Sequence, residues 1–168
     1  MDWWQPSKPN QIKPIPWLHP EVIRYLERLL HPDWTVIEHG SGGSTLWLAE
    51  RVKRVFSFEN GADWLREVEK LAPKNVFVAA CPRGFTPSML SLSHLLLIDG
   101  EPVEGRAQWL TVAKELVLPG GWVVLDNCNR PEYEAERVAL QNYAEYHVYF
   151  HTSRGGQKYL NSEFYKLP

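Results

Sequence analysis

The chain has 168 residues, 44% hydrophobic and 23% charged, with a formal net charge of −2. That length suits one domain with a real core, and the near-neutral balance carries no footprint for nucleic acid or an anionic membrane surface. No apolar run approaches the roughly 18 residues of a membrane span. MDWWQPSKPN at the start lacks the basic and apolar regions of a signal peptide. Two cysteines, Cys81 and Cys128, are too few for a disulfide framework and read as reduced thiols, so a cytoplasmic protein is the default expectation.

Residues 1–20 carry five prolines and three tryptophans and follow neither a helical nor a strand period. They are expected to form an irregular arm whose indoles pack on the body, because bare tryptophan is costly in water. From Pro20 the pattern turns helical. In PEVIRYLERLL, Val22, Ile23, Leu26, Leu29 and Leu30 share a face, Arg24, Glu27 and Arg28 lie off it, and Pro20 suits a first helical turn. TVIEH reads as a strand and STLWLAERV as a helix. RVFSFE is a second strand, followed by a helix over ADWLREVEKLA with Trp64, Leu65, Val68 and Leu71 at helical spacing. NVFVAA is a third strand, and residues 81–92 are proline-broken and ambiguous. HLLLIDG is a continuous apolar run ending in an acid, the mark of a strand buried on both faces. GRAQWLTVAKELV reads as a helix stopped by LPGG, WVVLDN as a fifth strand and EYEAERVALQNYAEY as a further helix. The tail reads as a strand (HVYFH), a Gly-Gly turn (TSRGGQ) and a returning strand (KYLNSEFYKL). Strands alternating with helices predict a largely parallel sheet covered on both faces, with right-handed crossovers and one antiparallel strand from the final hairpin.

EHGSGGST follows the first strand, at the end where open parallel sheets hold ligands. Gly40, Gly42 and Gly43 allow a tight turn and a close approach, and Ser44 or Thr45 suits the cap of the next helix. The loop lacks the third glycine of a dinucleotide fingerprint and the lysine of a P-loop. Glu38, two residues before the first glycine, would repel a diphosphate and favour a cationic ligand.

An acid, a spacer and Gly-x-Gly are matched by Glu38, Gly40 and Gly42; Glu59 closes the second strand 21 residues after Glu38; HLLLIDG and LVLPGGWVVLDN follow in order. On these residues the sequence resembles the class I S-adenosylmethionine-dependent methyltransferases, convincingly over residues 17–129. The resemblance implies an α/β, three-layer Rossmann-like sandwich with a mostly parallel seven-stranded sheet and a C-terminal antiparallel hairpin strand. It implies a single methyltransferase domain over 1–168, with 1–20 as a Pro/Trp-rich N-terminal arm. It also implies S-adenosylmethionine as cofactor, held by Glu38, Gly40, Ser41, Gly42, Ser44, Thr45, Glu59, Asn60, Trp64 and Asp99. Glu59 would accept hydrogen bonds from the ribose hydroxyls. Trp64 also lies on the apolar stripe of its helix, so adenine contact and core packing both stay open. His39 is read as fixed by the loop backbone, without a catalytic role.

Methyl transfer from a sulfonium is an in-line displacement, so the enzyme positions the acceptor and removes its proton. Asp99 and Glu101 are the candidate catalytic residues. Asp99 followed by Asp126 and Asn127 is also similar to the metal-ligand set of cation-dependent catechol and caffeoyl-CoA O-methyltransferases. That likeness implies an octahedral Mg²⁺ which acidifies the acceptor hydroxyl. The chain departs from those enzymes in having DGEPVEGR, with Glu101, Glu104 and Arg106, in place of a nearby lysine. Metal-assisted and metal-free transfer both stay open. Walls for the acceptor are expected from Trp3, Trp4 and Trp17, from NCNRPEY with Arg130 and Tyr133, and from TSRGGQK with Arg154 and Lys158. The resulting expectation is methyl transfer to a small molecule, on oxygen, without nucleic acid or membrane, by a homo-oligomer or with a partner subunit. The alternative is a non-catalytic partner or scaffold that keeps the fold. A nicotinamide-dependent reductase is disfavoured by Glu38 and the missing glycine.

Overall fold

The computed structural model describes residues 12–81, 92–151 and 161–168. In chain order the elements are α1 (Pro20–Leu29), β1 (Thr35–His39), α2 (Gly43–Ala49), β2 (Arg54–Glu59), α3 (Ala62–Leu71) and β3 (Val76–Ala80). There follow β4 (Ser93–Ile98), α4 (Gly105–Leu116), β5 (Val117–Leu125), a 3₁₀ turn at Pro131–Tyr133, α5 (Glu134–Tyr143), β6 (Tyr146–Phe150) and β7 (Ser162–Lys166). The seven strands form one sheet in the order β3-β2-β1-β4-β5-β7-β6. β1 pairs in parallel with β2 and β4, as do β2 with β3 and β4 with β5. β7 lies antiparallel between β5 and β6. The expected architecture is the observed one, and no helix among the described residues is long and apolar enough to cross a membrane.

The winding reverses between β1 and β4. β1, β2 and β3 step outward in one direction and β4 and β5 in the other, so right-handed crossovers put α2 and α3 on one face and α4 on the opposite face. Both faces are buried, which is why the central strands read as unbroken apolar runs. On one face Val22 and Leu26 of α1 and Trp47 and Leu48 of α2 pack on Val36, Val55, Leu95 and Leu97. On the other, Trp109, Leu110 and Leu116 of α4 and Leu140 of α5 pack on Ile37, Leu96, Ile98 and Val123. Each such side chain contributes about 1.5–3 kcal/mol by leaving water.

Three local readings change. LPGG does not end α4: the helix closes at Leu116, and these residues belong to β5. Ser93 pairs with Val117 but Leu95 pairs with Trp122, so residues 118–121 loop out of the ladder as a bulge. The helix expected over EYEAERVALQNYAEY is shortened by the 3₁₀ turn, and the arm does not bury all its indoles. Leu18 is buried, whereas Trp17 stays 62% exposed, leaning on Trp64 with ring centroids 6.2 Å apart. Trp3, Trp4, Arg154 and Lys158, the TSRGGQ turn and most of the ambiguous 81–92 stretch lie outside the described residues.

At the reversal, Gly40 has φ +97°, and a Cβ there would stand 2.5 Å from the α-carbon of Gly100. Gly120 has φ +75° with nothing within 4 Å of the same position. Gly40→Ala is therefore expected to cost about 2–5 kcal/mol, from backbone strain and overpacking together, and Gly120→Ala only about 1–2 kcal/mol. Urea unfolding of the two variants checks the difference.

Candidate active site

Register places Glu38 of β1 opposite Ser57 of β2, on the face covered by α2. The Glu38 side chain is fully buried beneath the glycine loop. Its Oε2 accepts hydrogen bonds from Thr45 Oγ1 at 2.6 Å and Ser57 Oγ at 2.7 Å. Thr45 Oγ1 in turn accepts from the amide of Gly42 at 2.8 Å, so the carboxylate fastens the loop through one hydroxyl. Ser44 is buried beside it, and Glu38 Oε1 has no hydrogen-bond partner among the described residues. Burial pushes the Glu38 carboxyl up to about 7 despite the hydroxyls of Ser44, Thr45 and Ser57, and nearby Glu59 adds to the rise.

Glu59 sits at the lip of the same loop. Its Oε1 accepts from the amides of Asn60 at 2.9 Å and Gly61 at 2.8 Å, and its Oε2 from the amide of Ser41 at 3.0 Å. A carboxylate offers about four lone pairs, so three donors leave one on Oε2 for a further hydroxyl. Ser41 Oγ lies 2.7 Å from Ser57 Oγ, and the Trp64 indole donates to Ser41 O at 2.7 Å. Trp64 is thus half-buried against the loop and not a core residue. Gly43 meets the arm: a Cβ there would stand 2.4 Å from Ile15 O and 2.5 Å from Lys13 O. The Asn60 side chain donates to Glu101 O at 2.5 Å, tying the loop after β2 to the loop after β4.

The ends of β4 and β5 bring Asp99, Asp126 and Asn127 together around Arg106. This guanidinium is 1% exposed. Its Nη2 donates to Asp99 O at 2.7 Å, Nη1 to Asp126 O at 2.6 Å and Nε to Gly100 O at 2.9 Å. Weaker contacts reach Asp99 Oδ1 at 3.3 Å and Asn127 Oδ1 at 3.4 Å. Asp126 Oδ1 accepts from Ser162 Oγ at 2.5 Å. Burial raises the affinity of both aspartates for a proton. Asp126 raises Asp99 further, and Arg106 pulls both the other way. Glu101 stays largely exposed, 4.0 Å from Arg106. Tyr133 is fully buried with its hydroxyl on Asn127 O at 2.5 Å, so it seals the strand end and forms no open wall. His39 is buried against Trp109 with ring centroids 5.2 Å apart. Neither ring nitrogen has a hydrogen-bond partner among the described residues, and burial followed by the charge of Arg106 lowers its pKa to about 3.

These residues do not fit the expected Mg²⁺. The three ligand candidates do converge, but the Arg106 guanidinium already holds Asp99 Oδ1, Asn127 Oδ1 and the main-chain carbonyl of Asp126, and Ser162 holds one Asp126 oxygen. Among the described residues no group of three or more His, Cys, Asp or Glu side chains forms a metal site. They do fit a cationic nucleoside: a lone pair left on Glu59 after its three amide donors, a glycine loop below it and a buried acid under the loop. The sequence reading passed over Ser57, Arg106 and Ser162 as site residues. Two left a signal: Ser57 is the polar break in RVFSFE on the face of Glu59, and Arg106 falls in helical phase with the apolar Trp109, Leu110 and Ala113.

Strand order, glycine loop and strand-end acids define the fold of the class I S-adenosylmethionine-dependent methyltransferases. No protein-family model and no curated protein sequence matches the chain. Solved structures do. An rRNA methylase from Streptococcus thermophilus superposes with a TM-score of 0.70 at 13% identity, over 98% of this chain and 99% of that one. The N-methyltransferase NodS from Bradyrhizobium japonicum WM9, in complex with S-adenosyl-L-homocysteine, gives 0.63 at 13% identity over 88% and 84%. A functionally unknown protein from Deinococcus radiodurans R1 gives 0.59 at 19% identity over 77% of this chain, which spans only 63% of that one. At these identities the likeness is one of fold.

The folded state binds the Glu38 proton more tightly than the unfolded chain does. This contribution to stability is complete below pH 4.5 and lost as pH rises through about 7. Glu38→Gln removes it, so the stability of Glu38→Gln relative to the unsubstituted chain is expected to rise across that window. Urea midpoints at intervals of pH check this.

Proposed function

We propose that the chain is an S-adenosylmethionine-dependent methyltransferase acting on oxygen of a small-molecule acceptor. The observation that carries the reading is the Glu59 carboxylate, fixed by three amides at the lip of the glycine loop with one lone pair uncommitted. Bound there, the cofactor supplies an electrophilic methyl group on a sulfonium, open to in-line displacement. Glu59 would accept a hydrogen bond from its ribose. Gly40, Ser41, Gly42 and Thr45 form the floor, Ser44 lies beneath them, and Asn60 and Trp64 flank it. Glu38 contributes negative charge from below, which favours a positively charged ligand.

On the acceptor side Asp99 keeps 26% of its side chain exposed, beside the otherwise sealed strand ends. A carboxyl at the end of β4 that stays partly open can accept the proton of a hydroxyl, and this supports oxygen as the methylated atom. Glu101, more exposed and two residues on, is the second candidate. The net charge of −2 supports a small acceptor over RNA, and the free Cys81 and Cys128 support a reducing, cytoplasmic setting.

Calorimetry with S-adenosylmethionine and S-adenosyl-L-homocysteine tests the cofactor site. The chain is expected to bind both, and Glu59→Ala to weaken binding about 10- to 100-fold, the worth of charge-assisted hydrogen bonds. No binding by the unsubstituted chain refutes the proposal. With an accepted substrate, Asp99→Asn is expected to lower kcat about 10²- to 10⁴-fold at little change in cofactor affinity. Quantifying S-adenosyl-L-homocysteine release measures it, and an unchanged kcat removes Asp99 as the base.

A further inference from the structure

We infer that Arg106 is the resident cation of the strand-end site: its guanidinium takes the place a divalent metal would hold, gathers Asp99, Asp126 and Asn127, and presents Asp99 to the acceptor. The acceptor-facing part rests on the proposed methyl transfer; the exclusion of a metal does not. The guanidinium is caged by five oxygens, three of them main-chain carbonyls (Asp99, Gly100 and Asp126) at 2.6–2.9 Å and two side-chain oxygens (Asp99 Oδ1 and Asn127 Oδ1) at 3.3 and 3.4 Å. An oxygen cage of this kind is what a hard divalent cation requires. Here the charge is covalently part of α4, cannot be lost by deprotonation, and spreads over a planar fork that reaches both strand ends at once. Fixing Asp99 at its main-chain carbonyl and at Oδ1 holds its side chain beside that of Asp126, with 26% of it exposed. Arg106 is thereby a positioning residue for Asp99, and a second cation in the cage would meet like charge at contact distance.

Thermal unfolding and calorimetry with Mg²⁺ alone, Ca²⁺ alone or EDTA test this on the full chain. The unsubstituted protein is expected to show neither heat nor a shifted midpoint at millimolar cation. Arg106→Ala empties the cage of charge and is expected to unfold at lower temperature, with several degrees recovered by Mg²⁺ or Ca²⁺. That is a response loss of packing alone would not produce. Arg106→Lys keeps a cation in place and is expected to fold and stay indifferent to both ions. A cation response in the unsubstituted chain that Asp99→Asn abolishes overturns the inference. So does an Arg106→Ala chain, folded or not, that neither ion stabilises or refolds, and so does a cation-responsive Arg106→Lys. Failure here with cofactor binding intact strikes this inference alone, whereas absent cofactor binding strikes the proposed function and leaves the cation result standing.

Discussion

The backbones of β1 and β4 come so close at the reversal of the sheet that neither carries a side chain there. A Cβ on Gly40 would overlap the main chain of Gly100, and one on Gly100 would stand 2.8 Å from the Gly40 nitrogen and from the His39 ring. The amide of Gly40 is held by Phe58 O and that of Asp99 by His39 O, so the approach is locked from both sides. Everything at the site follows from this contact. It sets where the glycine loop leaves β1, where Asp99 leaves β4, and how Asn60 reaches Glu101 across the gap.

The two buried acid clusters are built on opposite principles. Beneath the loop, Glu38 is held by neutral hydroxyls and keeps one oxygen unpartnered among the described residues, so its charge is tolerated poorly until something cationic approaches. At the ends of β4 and β5, two carboxyl groups are brought together and a fixed positive charge is placed beside them, on Oδ1 of Asp99 and the main-chain carbonyl of Asp126. The first arrangement leaves electrostatic demand unmet beneath the glycine loop. The second meets its demand internally, which gives a rigid strand end.

Much of this was legible in the chain. Apolar runs of four to six residues alternating with helical stripes specify the layers, because burial on both faces removes polar residues from the central strands. Glu38, the glycines and Glu59 were visible because few sequences place acids at two strand ends beside a glycine turn. What was not legible depends on distance in space and not along the chain. LPGG is stop-like locally, yet Val117 finds a partner in Ser93 and draws the turn into the strand. The helical phase of Arg106 hints at burial, but its partners, the carbonyls at the ends of β4 and β5, are apparent only in space. Asp99, Asp126 and Asn127 suggest a metal until that guanidinium is placed. Trp17 was expected to pack on the body, yet it stays largely exposed while Pro16 and Leu18 on either side of it are buried.

Glu38 and His39 are adjacent in β1 and point to opposite faces of the sheet, each into a dry environment. In a mildly acidic unfolded chain they would form an anion followed by a cation. In the native strand the acid holds its proton and the imidazole gives its up. The central strand therefore enters the core as an uncharged ribbon through two proton exchanges of opposite sign. Folding in mild acid takes up a proton on one side of the sheet and releases one on the other, so a measurement of net proton exchange would register little of either.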